Sequence, residues 1–170
     1  QTIDLCPTLL EYFGRDIPKD VEGKPLKSVM ESDTPIHDAV LFGQHGHQVN
    51  VTDGRYVYMR SCATEDNTPI FQYTLMPTHS GAFFTLNELH TSELAGPFSF
   101  TKGCRLLKID AAKRDAKTNI LRYKSPKEAI LEGSKDSEIY KSALYDTKTD
   151  PKQENRLNDP EVEQRMISLL

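Results

Sequence analysis

The pair Asp53-Gly54 constrains this chain more than any other local feature. It stands between Val49-Asn50-Val51-Thr52 and Arg55-Tyr56-Val57-Tyr58, two runs rich in β-branched and aromatic side chains. Aspartate followed by glycine is the pair that a tight type I′ hairpin turn prefers, because both central residues then take φ > 0. A two-residue turn at this point sets Val51 opposite Tyr56 and Val49 opposite Tyr58. Those four side chains would share one face of the ladder, with Asn50 and Val57 on the other.

Other segments supply elements for such a hairpin to join. Ala39–Phe42, Ile70–Leu75 and Arg105–Ile109 read as short strands. The chain closes on Asp159-Pro160-Glu161, which opens a helix, and Val162, Met166, Leu169 and Leu170 keep helical spacing. At the other end, Asp4 is placed to cap a helix, Pro7 falls in its first turn, and Gly14 can close it. Leu5, Leu9, Leu10 and Phe13 share a face of that helix. Burying each is worth about 1.5–3 kcal/mol before entropy, so the face calls for a cover. Residues 14–36 form a connector punctuated by Pro18, Gly23, Pro25 and Pro35, with a helical turn around Leu26, Val29 and Met30. The stretch between the strands at 70–75 and 105–109 reads as an ordered loop or lid. Ser125-Pro126-Lys127-Glu128 opens a further short helix ending near Gly133.

Composition sets limits on what these elements can do. Of the 170 residues 37% are hydrophobic and 27% charged, a soluble balance slightly short of apolar content. Such a chain is expected to be loop-rich or to carry an apolar face awaiting a partner. A net charge of −4 gives no general attraction to nucleic acid or to an anionic membrane. No apolar run approaches the roughly 20 residues that span a bilayer, and no leader pattern is evident. The first residue is Gln1 rather than Met, from which we expect a portion of something longer. Three cysteines, Cys6, Cys62 and Cys104, lack metal-site spacing and suit free thiols in the cytoplasm. A signal peptide further upstream is compatible with the same residues. Asn50-Val51-Thr52 fits a glycosylation sequon, a triplet common by chance.

Candidate chemistry is sparse. His45-Gly46-His47 is the most chemical-looking feature, since two histidines two apart on a strand point the same way. They suit a metal, a sulfate oxygen or a pocket wall; as loop histidines beside Gly43 and Gly46 they would do none of these. No third ligand is evident, so we assign no metal site. His79, after a strand, either faces a pocket or fills a turn, and Lys102 in Thr101-Lys102-Gly103 either meets an anion or is solvated. Asp33 and Asp38 read as solvated loop carboxylates rather than an acid–base pair. There is no phosphate loop, no Gly-x-Ser-x-Gly elbow and no HExxH. The pocket candidates are therefore His45, His47, His79 and Lys102, with no catalytic residue and no cofactor assigned within the chain.

Three blocks carry a family resemblance. Thr2-Ile3-Asp4-Leu5-Cys6-Pro7-Thr8-Leu9-Leu10, with Ile17-Pro18 and Glu22-Gly23-Lys24-Pro25-Leu26, resembles the segment that follows the catalytic core of sulfatases in the alkaline-phosphatase-like superfamily. Leu144-Tyr145-Asp146, with Asp150-Pro151 and Glu154-Asn155, resembles a signature near the end of the same proteins. Val51-Thr52-Asp53-Gly54-Arg55-Tyr56 resembles the strand pair between them.

The resemblance implies an α+β fold: a small antiparallel sheet packed by a C-terminal helix. Residues 1–44 would then be a helix and strand left over from a larger α/β domain, and residues 45–170 a C-terminal subdomain with an insertion at about 70–109. It also implies a formylglycine and a calcium-type divalent ion in the parent protein, both held by residues upstream of this chain. The missing catalytic domain would cover Leu5, Leu9, Leu10 and Phe13, and the intact protein would take a sulfated small molecule or glycan. Histidines 45 and 47 would be its substrate contacts on this side of the cleft. A phosphonate or phosphate ester hydrolase of the same superfamily fits the same residues. A stand-alone interaction module is the alternative from another class.

An environment-sensitive dye separates these last readings. An uncovered Leu5/Leu9/Leu10/Phe13 face should bind it strongly or drive self-association, whereas low binding would count against the fragment reading.

Overall fold

The computed structural model describes residues 1–43, 46–64, 67–79, 82–110 and 141–170. The fold is α+β, with two small antiparallel sheets and a C-terminal helix. The chain divides into two compact units, Gln1–Asp38 with Leu94–Leu106, and Ala39–Glu93 with Leu107–Leu170.

In the first unit a 3-10 turn over Thr2–Asp4 leads into α1 (Leu5–Tyr12). Pro7 is buried in its first turn. Gly14, at φ +62°, ends the helix in the left-handed region, and the Arg15 N–H reaches back to Leu10 O at 2.8 Å. Asp4 does not cap the helix with its side chain. Its carboxylate, wholly buried, instead accepts from the Lys24 N–H at 2.9 Å and bonds the His37 Nε2 at 2.9 Å, and the α-amino group of Gln1 also reaches it. Thr8 Oγ1 accepts from the Leu26 N–H at 3.0 Å. Gly23 passes so close that a Cβ there would lie 2.1 Å from the Ile3 carbonyl oxygen. These contacts lay the connector along α1, and α2 (Lys27–Ser32) follows. One face of α1 stays open, with Leu5 53%, Leu9 57% and Phe13 69% exposed.

In the second unit β1 (Val40–Gly43), β2 (Val49–Thr52), β3 (Tyr56–Arg60) and β7 (Ala143–Asp146) form an antiparallel sheet in the order β1-β2-β3-β7. The Asp53-Gly54 hairpin is present, but its tip moves by one residue. Thr52 pairs with Val57 and Val51 with Tyr58, a register two residues from the one expected. The Asp53 carboxylate causes this by accepting the N–H groups of Arg55 and Tyr56 at 2.9 and 2.7 Å. Gly54 and Arg55 thus become the tip, and of the two only Gly54 has positive φ, which rules out a type I′ turn. A shift of two preserves the faces, so Val51 still lies with the tyrosines.

The register aligns Leu41, Val51, Tyr58 and Leu144 in a row across all four strands. The final helix, α4 (Pro160–Ile167), lays Met166 on that row, and Val51, Tyr58, Leu144 and Met166 are the core, none more than 3% exposed. Asp159 caps α4 through the N–H groups of Glu161 and Val162 at 3.2 and 3.1 Å, with Pro160 in the first turn. At one end of the sheet Arg165 bonds Asp53 at 2.8 Å and Arg55 bonds Asp146 at 2.8 Å, both guanidinium groups lying near the Tyr56 ring.

The strand after Ala39 pairs with β2, and the first compact unit comprises Gln1–Asp38 together with Leu94–Leu106. The strands expected at Ile70–Leu75 and Arg105–Ile109 are present as β4 (Phe71–Thr74) and β6 (Leu106–Asp110). The stretch between them is more regular than a loop or lid: it holds α3 (Leu86–Thr91) and β5 (Glu93–Ala95), with the second sheet ordered β4-β6-β5. The helix expected at Ser125–Gly133 lies outside the described residues.

Asp4 offers a test of the first unit. Burial alone would raise its carboxyl, but the hydrogen bonds from the α-amino group, Lys24 and His37 outweigh this and hold it well below the usual carboxylate range. A depressed folded value gives stability that is present above the unfolded value of about 3.9 and is lost as pH falls below it. Asp4→Asn should therefore reduce protection of the Lys24 amide at neutral pH by about 1.5–3 kcal/mol in hydrogen exchange. The gap between variant and wild type should shrink as pH falls from about 4 to 2, and a gap unchanged at pH 2 would refute the assignment.

Candidate functional site

The connection from β1 to β2 places His47 at the wall of a pocket. β1 ends at Gly43 and β2 begins at Val49, so His47 sits in the connecting turn and not on a strand. His45 lies outside the described residues. Gly46 takes φ +76°, and its carbonyl accepts a short hydrogen bond from Asn67 Nδ2, which ties this turn to the segment after β3. Gln48 is buried, and its side-chain amide donates to Lys141 O at 3.1 Å.

His47 lines a cavity of about 490 Å³ at the end of β2 and β3. Val49, Ile167 and Leu170 supply apolar surface, and Arg60, Ser61 and Asn67 supply polar groups. Val49 and Arg60 are paired directly across the ladder, two residues beyond Val51 and Tyr58 on the same face. The cavity is thus the continuation of the core face past the part that Met166 covers. Cys62 is also on its wall, and burial pushes this thiol up, so it stays protonated at neutral pH and is a poor nucleophile.

His79 and Lys102 do not line this cavity. His79 is buried, its Nε2 bonds Glu88 Oε1 at 2.8 Å, and its ring packs on Phe84 with centroids 4.6 Å apart. Burial would raise the Glu88 carboxyl, but hydrogen bonds from Thr85 and His79 bring it below its ordinary value. The same carboxylate receives the Thr85 N–H at 2.7 Å, so the pair fastens the start of α3 to the turn before it. His79 Nδ1 has no hydrogen-bond partner among the described residues. Lys102, in the first unit, has φ +53°, an exposed side chain and an ion pair with Asp20 at 3.4 Å.

Sequence reasoning overlooked Arg60, Ser61 and Asn67. The signal for Arg60 was available, because it extends the alternation Tyr56-Tyr58-Arg60 along one face. Ser61 and Asn67 arrive by loop geometry that alternation does not describe. Among the described residues no group of three or more His, Cys, Asp or Glu side chains is arranged to hold a metal ion. No described helix is long and apolar enough to cross a membrane.

Comparison with models of protein families and with curated proteins finds no match to this chain.

The thiols give a direct check on the pocket wall. Cys6 and Cys104 are exposed whereas Cys62 is half-buried with a raised pKa. Alkylation by iodoacetamide at pH 7.5, followed by peptide mass spectrometry, should label Cys62 about tenfold more slowly than the other two. Equal rates would mean that the wall is open to solvent.

Proposed function

We propose that this chain is the C-terminal portion of a sulfatase-type hydrolase acting on sulfate esters, with the catalytic residues upstream of it. One observation carries the reading: the residues of the resemblance are those on which local structure turns. Asp4, Thr8, Gly23 and Lys24 hold the connector along α1. Asp146 takes the Arg55 fork and the Lys148 N–H at 3.0 Å, and the Asp150 carboxylate takes the Asn155 N–H at 2.7 Å. Asp4, Thr8, Asp146 and Asp150 each satisfy a backbone N–H that would otherwise go unpaired, which supports reading the resemblance as a structural one.

The exposed side chains of Leu5, Leu9 and Phe13 suit a face that a preceding catalytic domain covers. That domain would bring the formylglycine and the calcium-type ion. In the intact protein His47, at its cavity, would contact the sulfated small molecule or glycan. Free Cys6, Cys62 and Cys104 favour the cytoplasm as the site of folding.

The test is to express the gene with its upstream reading frame and assay 4-nitrophenyl sulfate hydrolysis beside the 170-residue chain. We expect a C/S-x-P-x-R motif in the added sequence, turnover by the longer protein and none by the chain alone. Preference for 4-nitrophenyl phosphate or a phosphonate ester would move the protein to the neighbouring hydrolase class. A frame that starts immediately before Gln1, or metal-dependent turnover by the chain alone, would overturn the reading.

A further inference from the structure

The cavity at the end of β2 and β3 has a polarity that selects a ligand. Its floor extends the apolar core face through Val49, Ile167 and Leu170. Its rim carries the Arg60 guanidinium, with Ser61 and Asn67 beside it, and no aspartate or glutamate is among the described residues that line it. A guanidinium stays charged throughout the physiological range and binds carboxylates through two parallel hydrogen bonds. A volume of about 490 Å³ lies within the range of small-molecule sites. Among the described lining residues Arg60 is the permanent cation, and beside an apolar surface it fits one negative group attached to an apolar body.

We propose that this cavity is a binding site for a small amphiphilic carboxylate, its ring or chain on Val49, Ile167 and Leu170 and its carboxylate on Arg60. The site uses the cavity of His47 but not the ester chemistry of the sulfatase reading. Binding is measured on this chain alone and turnover on the longer protein, so each claim fails separately.

The test titrates the full 170-residue chain with 2-naphthoate while amide shifts are followed by NMR, with 2-naphthol and inorganic sulfate in parallel. Shifts should cluster at Val49, at Arg60 and Ser61, and at Ile167 and Leu170. 2-Naphthoate should bind about tenfold more tightly than 2-naphthol, and inorganic sulfate should bind more weakly than either. Arg60→Gln should weaken 2-naphthoate by about tenfold, the loss expected for a charged hydrogen bond, and Arg60→Lys should restore part of it. Shifts confined to α1, or 2-naphthol binding as tightly as 2-naphthoate, would overturn the proposal without recourse to any variant. An Arg60→Gln chain with a native amide spectrum and unchanged affinity would do the same.

Discussion

The second unit depends on Met166 covering a row of side chains that three strands contribute. Val51, Tyr58 and Leu144 lie side by side across the sheet because their strands pair in that register, and Met166 closes over them. Burying a side chain of this size is worth about 1.5–3 kcal/mol, and the row gains that only if all three strands and the helix arrive together. Two charged links at the hairpin end hold the arrangement in register. Arg165 joins the final helix to Asp53, and Arg55 joins the hairpin to Asp146, a residue far along the chain. The Asp146 carboxyl is lowered chiefly by its bond to Arg55. Since Arg55 is about half exposed, its link sets register more than it adds stability.

The same face explains where a ligand can go. Met166 covers the middle of the sheet, and beyond it the face continues to Val49 and Arg60 without being filled. A cavity forms there because the turn carrying His47 and the segment carrying Asn67 are drawn together through Gly46. The polar candidates elsewhere meet a different end. His79 is consumed in a bond to Glu88 that positions α3, and Lys102 faces Asp20. Polar residues that look available in a sequence are often the ones that satisfy neighbouring backbone and side-chain groups once the chain is folded.

Local rules read several elements well. The hairpin announces itself through Asp53-Gly54, the last helix through Asp159-Pro160 and its apolar spacing, and the first through Pro7 and Gly14. Helix α3 was equally legible and was passed over: Thr85 and Glu88 form a capping box, each side chain bonding the other's backbone N–H. At 70–109 the strands β4 and β6 were legible as short runs, while β5, only three residues long and followed by Gly96-Pro97, was not. Of the candidate site, the sequence pointed to His47 through its chemistry and to Arg60 through its spacing, while Ser61 and Asn67 carried no signal.

What the sequence determined by itself was the alternation of side chains, the helix ends and the presence of a turn near residue 53. These follow from φ/ψ preferences and short-range hydrogen bonds, which act over a few residues. Tertiary structure decided the rest. It moved the turn tip from Asp53-Gly54 to Gly54-Arg55, because the Asp53 carboxylate binds the Arg55 and Tyr56 amides and also receives Arg165 from the last helix. It turned Asp4 from a helix cap into a buried anchor, because Lys24 and His37 converge on it from later in the chain. In both cases a carboxylate with several donors within reach also takes donors that folding brings from far along the chain, Arg165 for Asp53 and Lys24 and His37 for Asp4, and these depend on contacts between residues distant in sequence.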